Sequence, residues 1–141
     1  MGRIAIEDRV EINDLLVKYC HHIDARNWDA LSALFLPDAR YDMRAFGGPA
    51  GDIGEIIRFF QTTAHSVPRW QHTISTSLPT PRGDDVAVRT AAQVMMIADG
   101  ADATDIVTLI GLWYDDVVTR TADGWKFRSR AQVYGWARAA Q

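Results

Sequence analysis

From about Ile6 to Ile23 the apolar side chains return every three or four positions, at Val10, Ile12, Leu15, Leu16, Tyr19, Cys20 and Ile23. That is the stripe of a helix with one face in a core. Asp24 stands where the stripe ends. Ala25-Arg26-Asn27 reads as a tight connection, and Asn27 can cap a second short helix carrying Trp28, Leu31, Leu34 and Phe35, with Asp29 in its first turn. Pro37 is expected to stop that helix. Ala39 to Phe46 reads as a first strand, and Gly47-Gly48-Pro49-Ala50-Gly51 as a loop. Asp52 with Glu55 three residues on forms a capping box that opens a third helix, with Ile53, Ile56, Ile57 and Phe60 inward and an end near His65.

Beyond Pro68 the period changes from the helical one to two. Trp70, His72, Ile74 and Thr76 alternate with Gln71, Thr73, Ser75 and Ser77, and Pro79 and Pro81 are expected to close this strand. A second long strand, Val86 to Ala98, puts Val86, Val88, Ala92, Val94 and Met96 on one face and Arg89, Gln93, Met95 and Ile97 on the other. A third runs from Asp105 to Thr121, and the turn Ala122-Asp123-Gly124 leads into a fourth from Trp125 to Tyr134. Helices first and a meander later predict an α+β fold: a cone-shaped roll of three N-terminal helices on a curved antiparallel sheet that encloses a pocket. Strands apolar on parts of both faces ask for cover on both sides, so a homo-oligomer, dimer or trimer, is expected through the sheet.

Composition narrows the classes of function. At 141 residues with 48% hydrophobic side chains, one domain spanning 1–141 is expected, because two would starve each other of core. A net charge of −3 with both signs interleaved offers no stripe for a phosphate backbone, so nucleic acid is excluded as a partner. The longest apolar runs, such as Val94 to Ala98, fall far short of the roughly 20 residues that cross a bilayer. Acidic residues at Glu7 and Asp8 interrupt the start of the chain before a signal peptide can develop, and the lone Cys20 suits a reducing compartment as a small buried hydrophobe. Cytoplasmic location is the expectation. The adjacent His21 and His22 point about 100° apart on a helix and cannot share a metal ion. There is no Gly-rich phosphate loop, nucleophile elbow or cysteine cluster, so no metal and no cofactor is expected.

The stretch Tyr19-Cys20-His21-His22-Ile23-Asp24-Ala25-Arg26-Asn27-Trp28-Asp29-Ala30-Leu31, the run Arg69-Trp70-Gln71-His72 and the closing Asp123-Gly124-Trp125-Lys126-Phe127 together resemble the SnoaL-like branch of the nuclear-transport-factor-2-like superfamily. The likeness covers nearly the whole chain. The first two segments resemble lyases of that group: scytalone dehydratase, bile-acid dehydratase and hexachlorocyclohexane dehydrochlorinase. By that resemblance Asp24 and His72 correspond to the Asp/His pair that handles a proton, and Tyr19 to a tyrosine of the bile-acid enzyme. Where scytalone dehydratase carries two tyrosines, this chain aligns Ile23 and Met43, and its second histidine falls on Met96. The general-base aspartate of the ketosteroid isomerases also aligns with Met43, one residue beyond Asp42.

An imidazole ordinarily titrates near about pH 6.5, and a carboxylate on one ring nitrogen fixes the tautomer that leaves the other free to take a proton. The resemblance therefore implies a cofactor-independent lyase, a dehydratase first of all, acting on a small hydrophobic or polycyclic compound. Isomerase or cyclase chemistry and non-catalytic ligand binding are the alternatives, since one fold hosts all of them. Each residue also has a structural reading: Asp24 can cap the following helix, His72 can be a satisfied strand residue, and Tyr19 can be core. Phe46, Phe60, Trp70, Trp113 and Tyr114 are large enough to wall an apolar pocket, with Met43 and Met96 beside them. Arg130 reaches the mouth of that pocket if a bulge turns it inward, and otherwise shares a solvated face with Arg128 and Lys126.

Overall fold

The computed structural model describes residues 2–139; Met1, at which the N-terminal reading starts, and the last two residues of the expected 1–141 unit lie outside them. Helix α1 (Ile6–Asp24) forms on its apolar stripe, with Ile12, Leu15, Leu16, Tyr19, Cys20 and Ile23 buried. Val10 is exposed, so the buried stripe begins later than the sequence pattern places it. Asn27 caps α2 (Trp28–Ser32), its side chain accepting the Ala30 amide at 3.3 Å.

That helix is shorter than its apolar pattern suggests. Leu34 and Phe35 leave it, and Phe35 opens strand β1 (Phe35–Asp42), so Pro37 lies inside a strand. Proline is tolerated there because the pairing register breaks between Phe35 and Arg40, and no ladder bond is asked of the missing amide. The first strand accordingly ends at Asp42, and Arg44–Phe46 form a 3-10 turn closed by Gly47 at φ 80°. Inside the expected loop a short strand, β2 (Ala50–Asp52), pairs with β1, and Asp52 caps α3 (Ile53–Ser66) by accepting the Glu55 amide at 2.9 Å.

Strand β3 (Arg69–Arg82) corrects the sequence reading most. It runs through Pro79 and Pro81 instead of closing there. The reason is its place at the edge of the sheet: a bulge between Ile74 and Ser77 shifts the parity, and the prolines direct their missing donors away from the neighbouring strand. Strands β4 (Asp85–Asp99), β5 (Asp105–Thr121) and β6 (Gly124–Arg138) complete a meander. The six-stranded order is β2-β1-β6-β5-β4-β3, antiparallel except for the β1–β6 pair. Three helices pack on one face of this curved, open sheet, an α+β fold. Val86, Val88, Thr90, Ala92 and Val94 of β4 are buried beneath them. Among the described residues no helix is long and apolar enough to cross a membrane.

Candidate active site

The end of α1 is pinned to the start of β3 by side chains from both. The Trp70 indole Nε1 donates to the Ile23 carbonyl at 2.7 Å. Arg26, at φ 56°, turns back to donate to the Ala64 carbonyl at 2.9 Å and to the Val67 carbonyl, and its guanidinium lies 4.4 Å from the Trp70 ring centre. These contacts hold Asp24 against the strand. Its two oxygens accept the His72 backbone amide at 3.0 and 3.1 Å, and Oδ1 lies 2.7 Å from His72 Nδ1. The His72 side chain is only 8% exposed and Asp24 27%, so the pair faces mainly protein. With Nδ1 and the carboxylate engaged, His72 Nε2 is the nitrogen left for a ligand.

His72 lines a cavity of about 160 Å³. Tyr19, Phe46, Phe60, Trp70, Met43 and Met96 line it as well, all of them wall or proton-handling candidates from the sequence. Phe46 is half-buried and packs against Tyr134 with ring centres 5.1 Å apart and planes tilted by 37°. Leu112 and Gln132 were not singled out in the sequence, although the alternation along their strands could have shown which side chains share the inner face.

Three sequence candidates are placed elsewhere. Trp113 stands on the other face of the sheet, over a groove with Trp136 and Gln93. Neighbouring residues on a strand take opposite faces, so Trp113 and Tyr114 cannot share one wall; Tyr114 is buried on the helix side, off the cavity wall. Arg130 does turn inward at a bulge: the β5–β6 register shifts between Val117 and Val118, so Phe127 and Arg130 both bury. It enters the core and not the mouth. There its Nε and Nη2 donate to Asp116 at 2.7 and 2.9 Å, while its guanidinium lies 4.2, 3.7 and 4.5 Å from the ring centres of Tyr19, Tyr114 and Phe127. Burial works against this charge, and the Asp116 carboxylate with its two hydrogen bonds more than offsets it, holding the guanidinium well above its ordinary pKa.

The Tyr19 hydroxyl is 2.6 Å from that of Tyr41, a partner the sequence reading missed. Burial, then the neighbouring Tyr41 and Tyr114, pushes the Tyr19 pKa well above the ordinary phenol value, so Tyr19 keeps its proton at neutral pH. Burial likewise raises Tyr41 and Tyr114. Tyr134 is 54% exposed. Ultraviolet titration of the native protein should therefore show Tyr19, Tyr41 and Tyr114 ionising only on unfolding. Because the unfolded chain releases those three protons first, stability is full below about pH 10 and falls above it, by up to about 1.4 kcal/mol per pH unit for each tyrosine. Three or four tyrosines ionising together in the native state would contradict this.

Burial pushes the Cys20 thiol up to about 11, in keeping with a small apolar filler. Among the described residues no group of three or more His, Cys, Asp or Glu side chains is arranged to hold a metal ion.

A family model of the SnoaL-like domain matches residues 5–131. An uncharacterized protein of Mycobacterium tuberculosis is 35% identical over 128 residues, covering 91% of this chain and 86% of its own length. Among solved structures, a Novosphingobium aromaticivorans protein provisionally assigned as an aromatic ring hydroxylase superposes with a TM-score of 0.84 at 25% identity, over 98% of this chain and 96% of its own. A hexachlorocyclohexane dehydrochlorinase of type 2 shares the fold with a TM-score of 0.82 at 14% identity, over 96% of this chain and 90% of its own.

Proposed function

The chain belongs to the SnoaL-like domain family, and from that premise we propose that it is a cofactor-independent lyase, a dehydratase acting on a small hydrophobic compound. The observation that carries the proposal is the 2.7 Å contact between Asp24 Oδ1 and His72 Nδ1 at the wall of an apolar cavity. The carboxylate orients the ring and stabilises the imidazolium, and Nε2 takes a proton from a carbon next to the one bearing a hydroxyl. The C–H pair becomes the new double bond as the C–O bond breaks. Tyr19, kept protonated by its burial, donates a hydrogen bond to the departing oxygen, and the imidazolium proton ends on that oxygen, so water leaves and the side chains are reset. The apolar walls exclude competing water and strengthen the Asp24–His72 coupling. Elimination by the dehydrochlorinase that shares this fold lends support to the same reaction class.

The test is turnover of a panel of hydroxylated cyclic compounds in deuterated water. Loss of water with formation of an alkene is expected. Exchange of deuterium without loss of water would make the protein an isomerase, and equal turnover by His72→Ala would remove His72 from the mechanism. Partnering through the sheet belongs to the same proposal: Trp113 and Trp136, exposed on the face away from the helices, support cover by a second copy.

A further inference from the structure

No lysine, arginine, aspartate or glutamate lines the cavity among the described residues. Its polar groups are the Tyr19 and Thr63 hydroxyls, the His72 ring and the Gln132 amide. Arg130 is already bonded to Asp116 and is not on the wall. A carboxylate or phosphate entering here would shed its hydration without meeting a guanidinium or ammonium group, and would approach the Asp24 carboxylate behind His72. Size is the second restriction. A cavity of about 160 Å³ is close to the roughly 150 Å³ engineered cavity that holds benzene.

The walls differ in how far they can yield. Trp70 is fixed by its bond to the Ile23 carbonyl, and Phe60 packs between the rings of Trp28 and Tyr41 at 6.5 and 6.2 Å. Met96 is half-buried, with a flexible unbranched side chain. We infer that the enclosed part of the ligand is an uncharged single ring bearing one hydroxyl or carbonyl oxygen, and that Met96 sets the size limit. The fate of that ring rests on the lyase reading; its binding does not.

Calorimetric titration with phenol, cyclohexenone, benzoate and naphthol tests both parts. Phenol and cyclohexenone should bind saturably, with benzoate and naphthol roughly tenfold or more weaker. Met96→Ala, or Ile110→Ala at a second half-buried position of the same wall if that variant folds poorly, should restore naphthol without restoring benzoate. Benzoate or naphthol binding as tightly as phenol to the wild type, naphthol gaining nothing in either enlarged variant, or no neutral ring binding at all, would overturn the inference. The two readings fail separately. The same ranking in a protein that turns nothing over sinks the lyase alone, whereas His72-dependent turnover of a polycyclic compound enclosed in the cavity sinks the size limit alone.

Discussion

Replacing His72 with alanine, or Asp24 with asparagine, should each lower turnover by about 10² to 10⁴, and the double variant should fall no further than the worse single one. The asparagine result is the more telling. The side-chain amide introduced by Asp24→Asn can still accept the His72 backbone N–H through its oxygen, so the strand stays docked. Its NH₂ then donates to Nδ1, which forces the proton onto Nε2 and turns the free nitrogen from a base into a donor. Loss of rate with an unchanged melting temperature is the expected signature. Independent, additive losses would mean that the two residues do not act as a unit, and an active Asp24→Asn enzyme would reduce Asp24 to a cap for the strand.

The largest stability effect should come from the core. Arg130 and Asp116 are 1% and 0% exposed, so removing either leaves an ion without its counter-charge. Asp116→Ala should destabilise by about 3 to 5 kcal/mol, a large share of the roughly 5 to 15 kcal/mol that holds a domain folded. Arg130→Met should behave differently with pH. Burial raises the Asp116 pKa, and without the guanidinium nothing opposes it. The native variant then keeps a proton that the unfolded chain releases near about pH 3.9, so the variant's own stability should be greatest in acid and fall as pH rises above that value. Its deficit against the wild type should widen once the wild-type Asp116 has ionised. Replacing both residues by apolar ones of similar size should recover most of the loss. Denaturant midpoints across pH measure all three. A pH-independent deficit in Arg130→Met would show that Asp116 finds another partner.

The parts of this fold carried by periodicity were legible in the sequence. Helices α1 and α3 and strands β4 and β5 follow from three- and four-residue or two-residue repeats and from the Asp52 cap. The three prolines were misread for one reason. A proline forbids only a hydrogen bond that the position would otherwise make, and whether Pro37, Pro79 or Pro81 owes such a bond depends on register and edge position, which are tertiary facts. The same limit hid Arg130, since a bulge of one residue reverses which side chains face inward. The approach of Asp24 to His72, 48 residues apart, had no local signal, and it was expected only through the resemblance. Tyr41 carried a weak signal as the aromatic of a strand bound for the core; its pairing with Tyr19 needed the helix and strand to be brought together.

The two ends of the sheet have a consequence for behaviour at high concentration. At one border the outward backbone donor of His72 is already taken by a carboxylate, and further along Pro79 and Pro81 offer none; the other border is a strand of three residues. Neither presents a long row of free amides on which another polypeptide could be laid down. Growth into fibrils by strand recruitment is thereby blocked at both margins, and the carboxylate proposed to steer the imidazole also guards the sheet.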